Sequence, residues 1–218
     1  MNALFQDRKS AGRLLAERLL KYRGEDVLVL GVPRGGVIVA AEVAKALGAP
    51  LDVIISRKIG APFNPELALG AVAPDGTVLY DERLLNVFGL RKEDLQGEVE
   101  RQLEEIARRQ RLYRGGREPL RYEGRTVIVV DDGIARGFTL RAALRSIRDQ
   151  RPKKLVLAVP VAPPETVDKL SCEADEVICL ETPREFYAVG QFYCDFRQTS
   201  DQEVIEALLH NRASSGSQ

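Results

Sequence analysis

Histidine is nearly absent from this 218-residue chain: His210 is the only one, and it adjoins "NRASSGSQ", whose composition predicts a disordered tail over 211–218. A Ser-His-Asp triad, an HExxH zinc site or a histidine phosphorelay each needs an imidazole in the folded core, so none is expected. Cysteine is scarce as well. Cys172, Cys179 and Cys194 form no close metal-ligand pair, and their odd number argues against a disulfide framework. Neither sign of charge is in excess, with 32 Lys and Arg against 32 Asp and Glu. There is then no global basic field, and nucleic acid is not an expected partner. No apolar run approaches the roughly 18 residues of a membrane span. The start, "MNALFQDRKSAGRLL", carries charges where a signal peptide needs an uninterrupted apolar region. A cytoplasmic protein with no membrane partner is the expectation. Neither GxxxxGK[ST] nor GxGxxG occurs, which counts against P-loop NTPases and dinucleotide dehydrogenases.

What is present is alternation. Val- and Ile-rich runs at 27–32, 52–57, 126–131, 154–160 and 176–180 are nearly continuous, as parallel strands buried on both faces require. Segments of helical period at 8–22, 36–47, 137–150, 163–171 and 200–210 separate them. The pattern predicts an α/β fold with an open, mainly parallel sheet flanked by helices, in a single domain over 1–210. "LALGAVAPDGTVLY" departs from it, because Asp75-Gly76 between two apolar runs signals a hairpin, placed here at the sheet edge. A long insertion follows, roughly 81–124. Leu95, Val99, Leu103 and Ile106 draw one apolar stripe along a helix at 92–113, which makes a dimer contact the expectation. Residues 101–125 hold eight Arg against four Glu, which reads as a solvated face or as a nucleic-acid arm.

In an open parallel sheet, ligands sit beyond the carboxyl ends of the strands where the winding reverses. With 27–32 central and 126–131 crossing to its other side, the turns after these two strands flank one crevice. They are the glycine-rich turns of the chain. "GIARGFT" at 133–139 lets the backbone wrap closely at a helix N-terminus, a cradle for phosphate. Asp131 and Asp132 cannot bind that phosphate, but they can accept hydrogen bonds from hydroxyls beside it or orient a hydrated Mg²⁺. "GVPRGG" at 31–36 adds a second glycine turn with Arg34, and Arg57 and Lys58 add two more cations. A sugar phosphate with a further polyanion describes phosphoribosyl pyrophosphate. Taken alone, "RK" at 57–58 also reads as surface charge, and Glu66 as either an orienter of Lys58 or a turn cap.

"VIVVDDGIARGFT" is similar to the phosphoribosyl-pyrophosphate signature of type I phosphoribosyltransferases, and "GVPRGG" resembles their pyrophosphate loop. "LGVPRGGVIVA", "RKIGAPFNPELALGAV" and "YAVGQFYCDF" together resemble a bacterial subgroup of predicted phosphoribosyltransferases, over about residues 5–210. The resemblance implies a type I phosphoribosyltransferase-like fold with a small C-terminal hood at about 181–198. It implies that Asp131 and Asp132 contact the ribose hydroxyls, and that Gly133, Ile134, Ala135, Arg136, Gly137, Phe138 and Thr139 hold the 5-phosphate. Gly31, Gly35 and Gly36 would bind pyrophosphate, with a strained peptide near Arg34, while Arg57 and Lys58 neutralise it as it leaves. The hood would offer Phe186 or Tyr187 for stacking on a base, though Tyr187, Phe192 and Tyr193 also read as core. Asp195 would join Asp131 and Asp132 at Mg²⁺, with one residue more than usual after Gly190. Arg136 stands where the family usually has Thr. The implied function is Mg-dependent transfer of ribose 5-phosphate to a nitrogenous acceptor such as a nucleobase, as in purine salvage. A regulator that senses the same ligand and binds RNA or a protein is the alternative.

Overall fold

The computed structural model describes residues 3–215, with side chains to Ala213. In chain order the elements are α1 (Arg8–Leu19), β1 (Val27–Gly31), α2 (Gly35–Leu47), β2 (Leu51–Val53), β3 (Arg57–Ala61), β4 (Asn64–Val72), β5 (Val78–Tyr80), α3 (Glu82–Phe88), α4 (Gln96–Arg114), β6 (Thr126–Val130), α5 (Phe138–Asp149), β7 (Lys154–Val161), α6 (Pro164–Leu170), β8 (Glu176–Glu181) and α7 (Asp201–Ser215). Five strands form a parallel sheet in the order β2-β1-β6-β7-β8. β1 is flanked by β2 and β6 as expected, although β6 is the middle strand.

Side chains alternate across this sheet, so each strand feeds two cores. Val27 and Val29 of β1, with Ile128 and Val130 of β6, face α1, α2 and α7. Leu28 and Leu30, with Val127 and Val129, face α5 and α6. Both faces are covered, which is why these strands read as unbroken apolar runs.

The expected strand at 52–57 is two strands. Only Leu51–Val53 pairs with β1; Arg57–Ala61 opens a second, antiparallel sheet of order β3-β4-β5. Ile54 and Ile55 between them are as buried as the strands, so hydropathy carries no mark where the pairing partner changes. The Asp75-Gly76 hairpin therefore belongs to this smaller sheet and not to the edge of the parallel one. Gly76 has φ +89°, and Asp75 Oδ1 accepts from Thr77 N at 3.0 Å, closing the turn.

The insertion packs inward. Leu95, Val99 and Ile106 are buried in the first core and Leu103 leans on it, so the stripe serves this chain's own fold and leaves no basis there for a dimer contact. The far end of α4 is anchored by Arg114, whose Nε donates to Asp52 Oδ1 at 3.0 Å and Oδ2 at 3.1 Å, and whose Nη2 donates to Val53 O at 3.1 Å. The helix expected to end at 210 runs to Ser215, where a disordered tail was expected. Asn211 is buried, accepting from Leu51 N at 2.9 Å and donating to Ala49 O at 3.2 Å, so it supplies side-chain partners to edge strand β2. The rest of the expected tail, 216–218, lies outside the described residues. Among the described residues no helix is long and apolar enough to cross a membrane.

Candidate active site

The crevice forms where the turns after β1 and β6 meet. Gly36 is pressed against the acidic pair: a Cβ there would lie 2.8 Å from Asp131 Cα and 2.8 Å from Asp131 Oδ1. At Gly35 it would run into Asp132 Oδ2 and Arg8 Nε. Gly36 is required because the loop backbones touch, and any side chain at Gly35 would push the Asp132–Arg8 pair aside, in neither case because of a turn angle. Between Val32 and Gly35 the Pro33-Arg34 peptide is cis. Gly31 serves packing instead. It ends β1, and its missing side chain admits Val37 of α2, 2.8 Å from where a Cβ would stand.

The second turn presents a row of donors. The N–H groups from Ala135 to Thr139, like those of Arg34, Gly35 and Gly36, have no protein acceptor among the described residues. Gly137 caps α5 at φ +68°, a left-handed angle that favours glycine, and aims this row at the helix N-terminus. Ala135 and Arg136 are exposed and Thr139 is half-buried, so an anion can reach the donors. Ile134 does not join them, for its N–H donates to Val161 O at 3.0 Å and its side chain is core. Phe138 packs its ring toward Ala71, Ala73 and Leu79. Gly133 makes room for Val189 of the hood, into which a Cβ would run.

Burial, then the neighbouring Asp132 charge, hold the Asp131 carboxyl well above the usual carboxylate range. Asp132 is raised too, by burial, against the pull of Arg8. Arg8 Nε donates to Asp132 Oδ2 at 2.7 Å, its Nη1 donates to Arg197 O at 2.8 Å, and its guanidinium stacks 3.9 Å from the Phe196 ring centroid. Tyr193 is buried, and its hydroxyl donates to Asp132 O at 2.6 Å. The N-terminal segment holds the hood as well: Leu4 N and Phe5 N both donate to Phe192 O at 2.9 Å, and Asp195 N donates to Gln6 O at 2.9 Å.

The hood's aromatic residues divide. Phe192 and Tyr193 are core, Phe186 stacks on Phe192 at 5.0 Å, and Tyr187 is 83% exposed. Gln191 Oε1 accepts from Tyr187 N and Ala188 N, which fixes the loop that carries that ring. Asp195 does not gather with the acidic pair. Its Oδ1 accepts from Arg197 N at 3.1 Å, and among the described residues no cluster of three or more His, Cys, Asp or Glu side chains is set to hold a metal.

The cations of the sequence reading are each held by a polar partner. Lys58 Nζ pairs with Glu66 Oε2 at 2.8 Å, the orienting role open to Glu66. Arg57 Nε donates to Gln102 Oε1 at 2.8 Å, and Arg34 Nη1 lies 3.9 Å from Asp201 Oδ1. Arg8, Gln102 and the bond from Tyr193 to Asp132 escaped sequence reasoning because the partners are distant in the chain: Arg8 and Asp132 are 124 residues apart.

An open parallel sheet with two glycine turns and an acidic pair at its carboxyl edge defines an α/β protein whose ligand crevice lies beyond the strand ends. The chain belongs to the phosphoribosyl transferase domain family, whose model matches residues 4–197. It is 48% identical over 205 residues to "Putative phosphoribosyl transferase Rv0571c" of Mycobacterium tuberculosis, covering 94% of this chain and 46% of that protein. The chain thus spans about half the length of that curated relative. Among solved structures it is similar to TT1426 from Thermus thermophilus, with a TM-score of 0.80 and 44% identity over 94% of this chain and 98% of that one.

Proposed function

We propose that the protein transfers the ribose 5-phosphate of phosphoribosyl pyrophosphate to a nitrogenous acceptor, a nucleobase, with release of pyrophosphate. The contact of Gly35 and Gly36 with Asp132 and Asp131 carries this reading, since it sets a diphosphate-sized loop directly against a pair of hydroxyl acceptors. In this reading Asp131 and Asp132 accept hydrogen bonds from the ribose 2- and 3-hydroxyls, and the N–H groups of Ala135 to Thr139 hold the 5-phosphate. The loop at 33–36 takes the pyrophosphate, with Arg34, Arg57 and Lys58 countering the charge that grows on it as the anomeric C–N bond replaces the C–O bond. The ring of Tyr187, held out on its loop, stacks on the acceptor.

The donor set fits Mg²⁺, which keeps most of its waters and binds through one or two carboxylates plus substrate oxygens. Asp131 and Asp132, pressed against the glycines of the 33–36 loop, are the residues that would hold it. When bound, the ion supplies positive charge to the leaving group. Incubation with Mg²⁺, phosphoribosyl pyrophosphate and a panel of purine and pyrimidine bases tests the proposal. Acceptor-dependent pyrophosphate release is expected. Tight binding of the sugar ligand with no release for any base would instead make the protein a sensor.

A further inference from the structure

Along the edge of its apolar stripe, α4 carries polar side chains that the transfer reading leaves unused. Gln102, Arg109 and Tyr113 are spaced by seven and four residues and so share that edge. At one end Gln102 accepts from Arg57. At the other the Tyr113 hydroxyl donates to Asp201 Oδ1 at 2.6 Å, the oxygen beside Arg34. One end therefore braces Arg57 and the other meets the carboxylate 3.9 Å from Arg34, two cations assigned above to pyrophosphate, and Arg109 lies between, about 10 Å along the axis from Gln102 and about 6 Å from Tyr113.

Its surroundings differ from those of the adjacent arginine. Arg108 and Arg109 both donate to Glu105, but the Arg108 side chain is 57% exposed and that of Arg109 28%. The charge of Arg109 reaches both ends: after burial it is the chief influence lowering the pKa of Arg57, and it opposes the burial that raises Tyr113 to about 12. Arg57 donates to the neutral Gln102, whose Nε2 in turn donates to Glu98 Oε1 at 2.7 Å. With Glu98 paired to Arg101 and Glu105 shared by Arg108 and Arg109, the positive charge of Arg57 and Arg109 is incompletely balanced, and a dense anion is its natural complement.

We propose that Arg109 is a further substrate-binding residue, a third guanidinium of the leaving-group subsite, delivered by the inserted helix. This rests on the transferase reading. In the free protein Arg109 pairs with Glu105; with ligand it turns to the diphosphate between Arg34 and Arg57.

Calorimetric titration with Mg²⁺-pyrophosphate and, separately, with ribose 5-phosphate tests it, using the whole chain, Arg109→Gln, Arg109→Lys and Arg108→Gln. Loss of a charge-assisted bidentate contact should weaken pyrophosphate binding about tenfold or more in Arg109→Gln. Ribose 5-phosphate, which lacks the diphosphate, should bind unchanged, Arg109→Lys should recover part of the loss, and Arg108→Gln should match the unaltered chain. Pyrophosphate affinity in Arg109→Gln equal to that of Arg108→Gln overturns the proposal. So does an equal loss for both ligands. Should Arg109→Gln fail to fold, Arg109→Lys decides, because full pyrophosphate affinity there would mean that the fork geometry grips nothing. An unaltered chain that binds neither ligand overturns the transferase reading itself.

Discussion

Arg136 tests the proposed phosphate cradle at the scale of one residue. It sits in the middle of the turn after β6, exposed and with no hydrogen bond or ion pair among the described residues. The N–H row from Ala135 to Thr139 is complete without its side chain, and the Thr139 side chain is also unengaged there. Arg136→Ala should therefore leave ribose 5-phosphate affinity within about twofold by calorimetry, whereas a gripping guanidinium would give a loss above tenfold, about 1.4 kcal/mol. That Asp131, Asp132 and the glycines around them line one crevice was legible in the sequence, because each turn is a contiguous stretch of chain at a strand's carboxyl end. Gly31 and Ile134 sit inside those same stretches but serve packing, a difference that only the burial of each position reveals.

Among the elements, α4 matters most for the site, because it braces Arg57 through Gln102 and is itself held by one buried ion pair. Asp52 is 2% and Arg114 5% exposed, and the pair bonds across 62 residues of sequence. Removing one partner of such a pair leaves an uncompensated buried charge. Arg114→Ala should lower stability by about 3–5 kcal/mol in equilibrium urea unfolding, and replacing both partners with apolar residues of similar volume should recover much of it. A loss below about 1 kcal/mol would show that α4 docks by its apolar stripe alone. The stripe itself was readable from its spacing. Which surface it covers was not, since period reports a face and not its partner. The break between β2 and β3 was hidden for a related reason, Ile54 and Ile55 being apolar on both sides of it.

Over the whole molecule, the parallel sheet acts as a platform that brings two turns, nearly 100 residues apart in sequence, to one edge, while the N-terminal segment and the hood close over them from the α1 side. That architecture was legible from the alternation of apolar runs and helical segments. The closure was not, because the bonds from Leu4, Phe5 and Arg8 to the hood and to Asp132 join the two ends of the chain. The central claim is that this edge binds a ribose phosphate through its acidic pair. Calorimetric titration of Mg²⁺-phosphoribosyl pyrophosphate into the chain and into the Asp131→Asn, Asp132→Asn double variant tests it most directly. Each lost charged acceptor should cost about 1.5–3 kcal/mol, so affinity should fall by about a hundredfold or more while the thermal unfolding transition is retained. Unchanged affinity in a folded double variant would contradict the account.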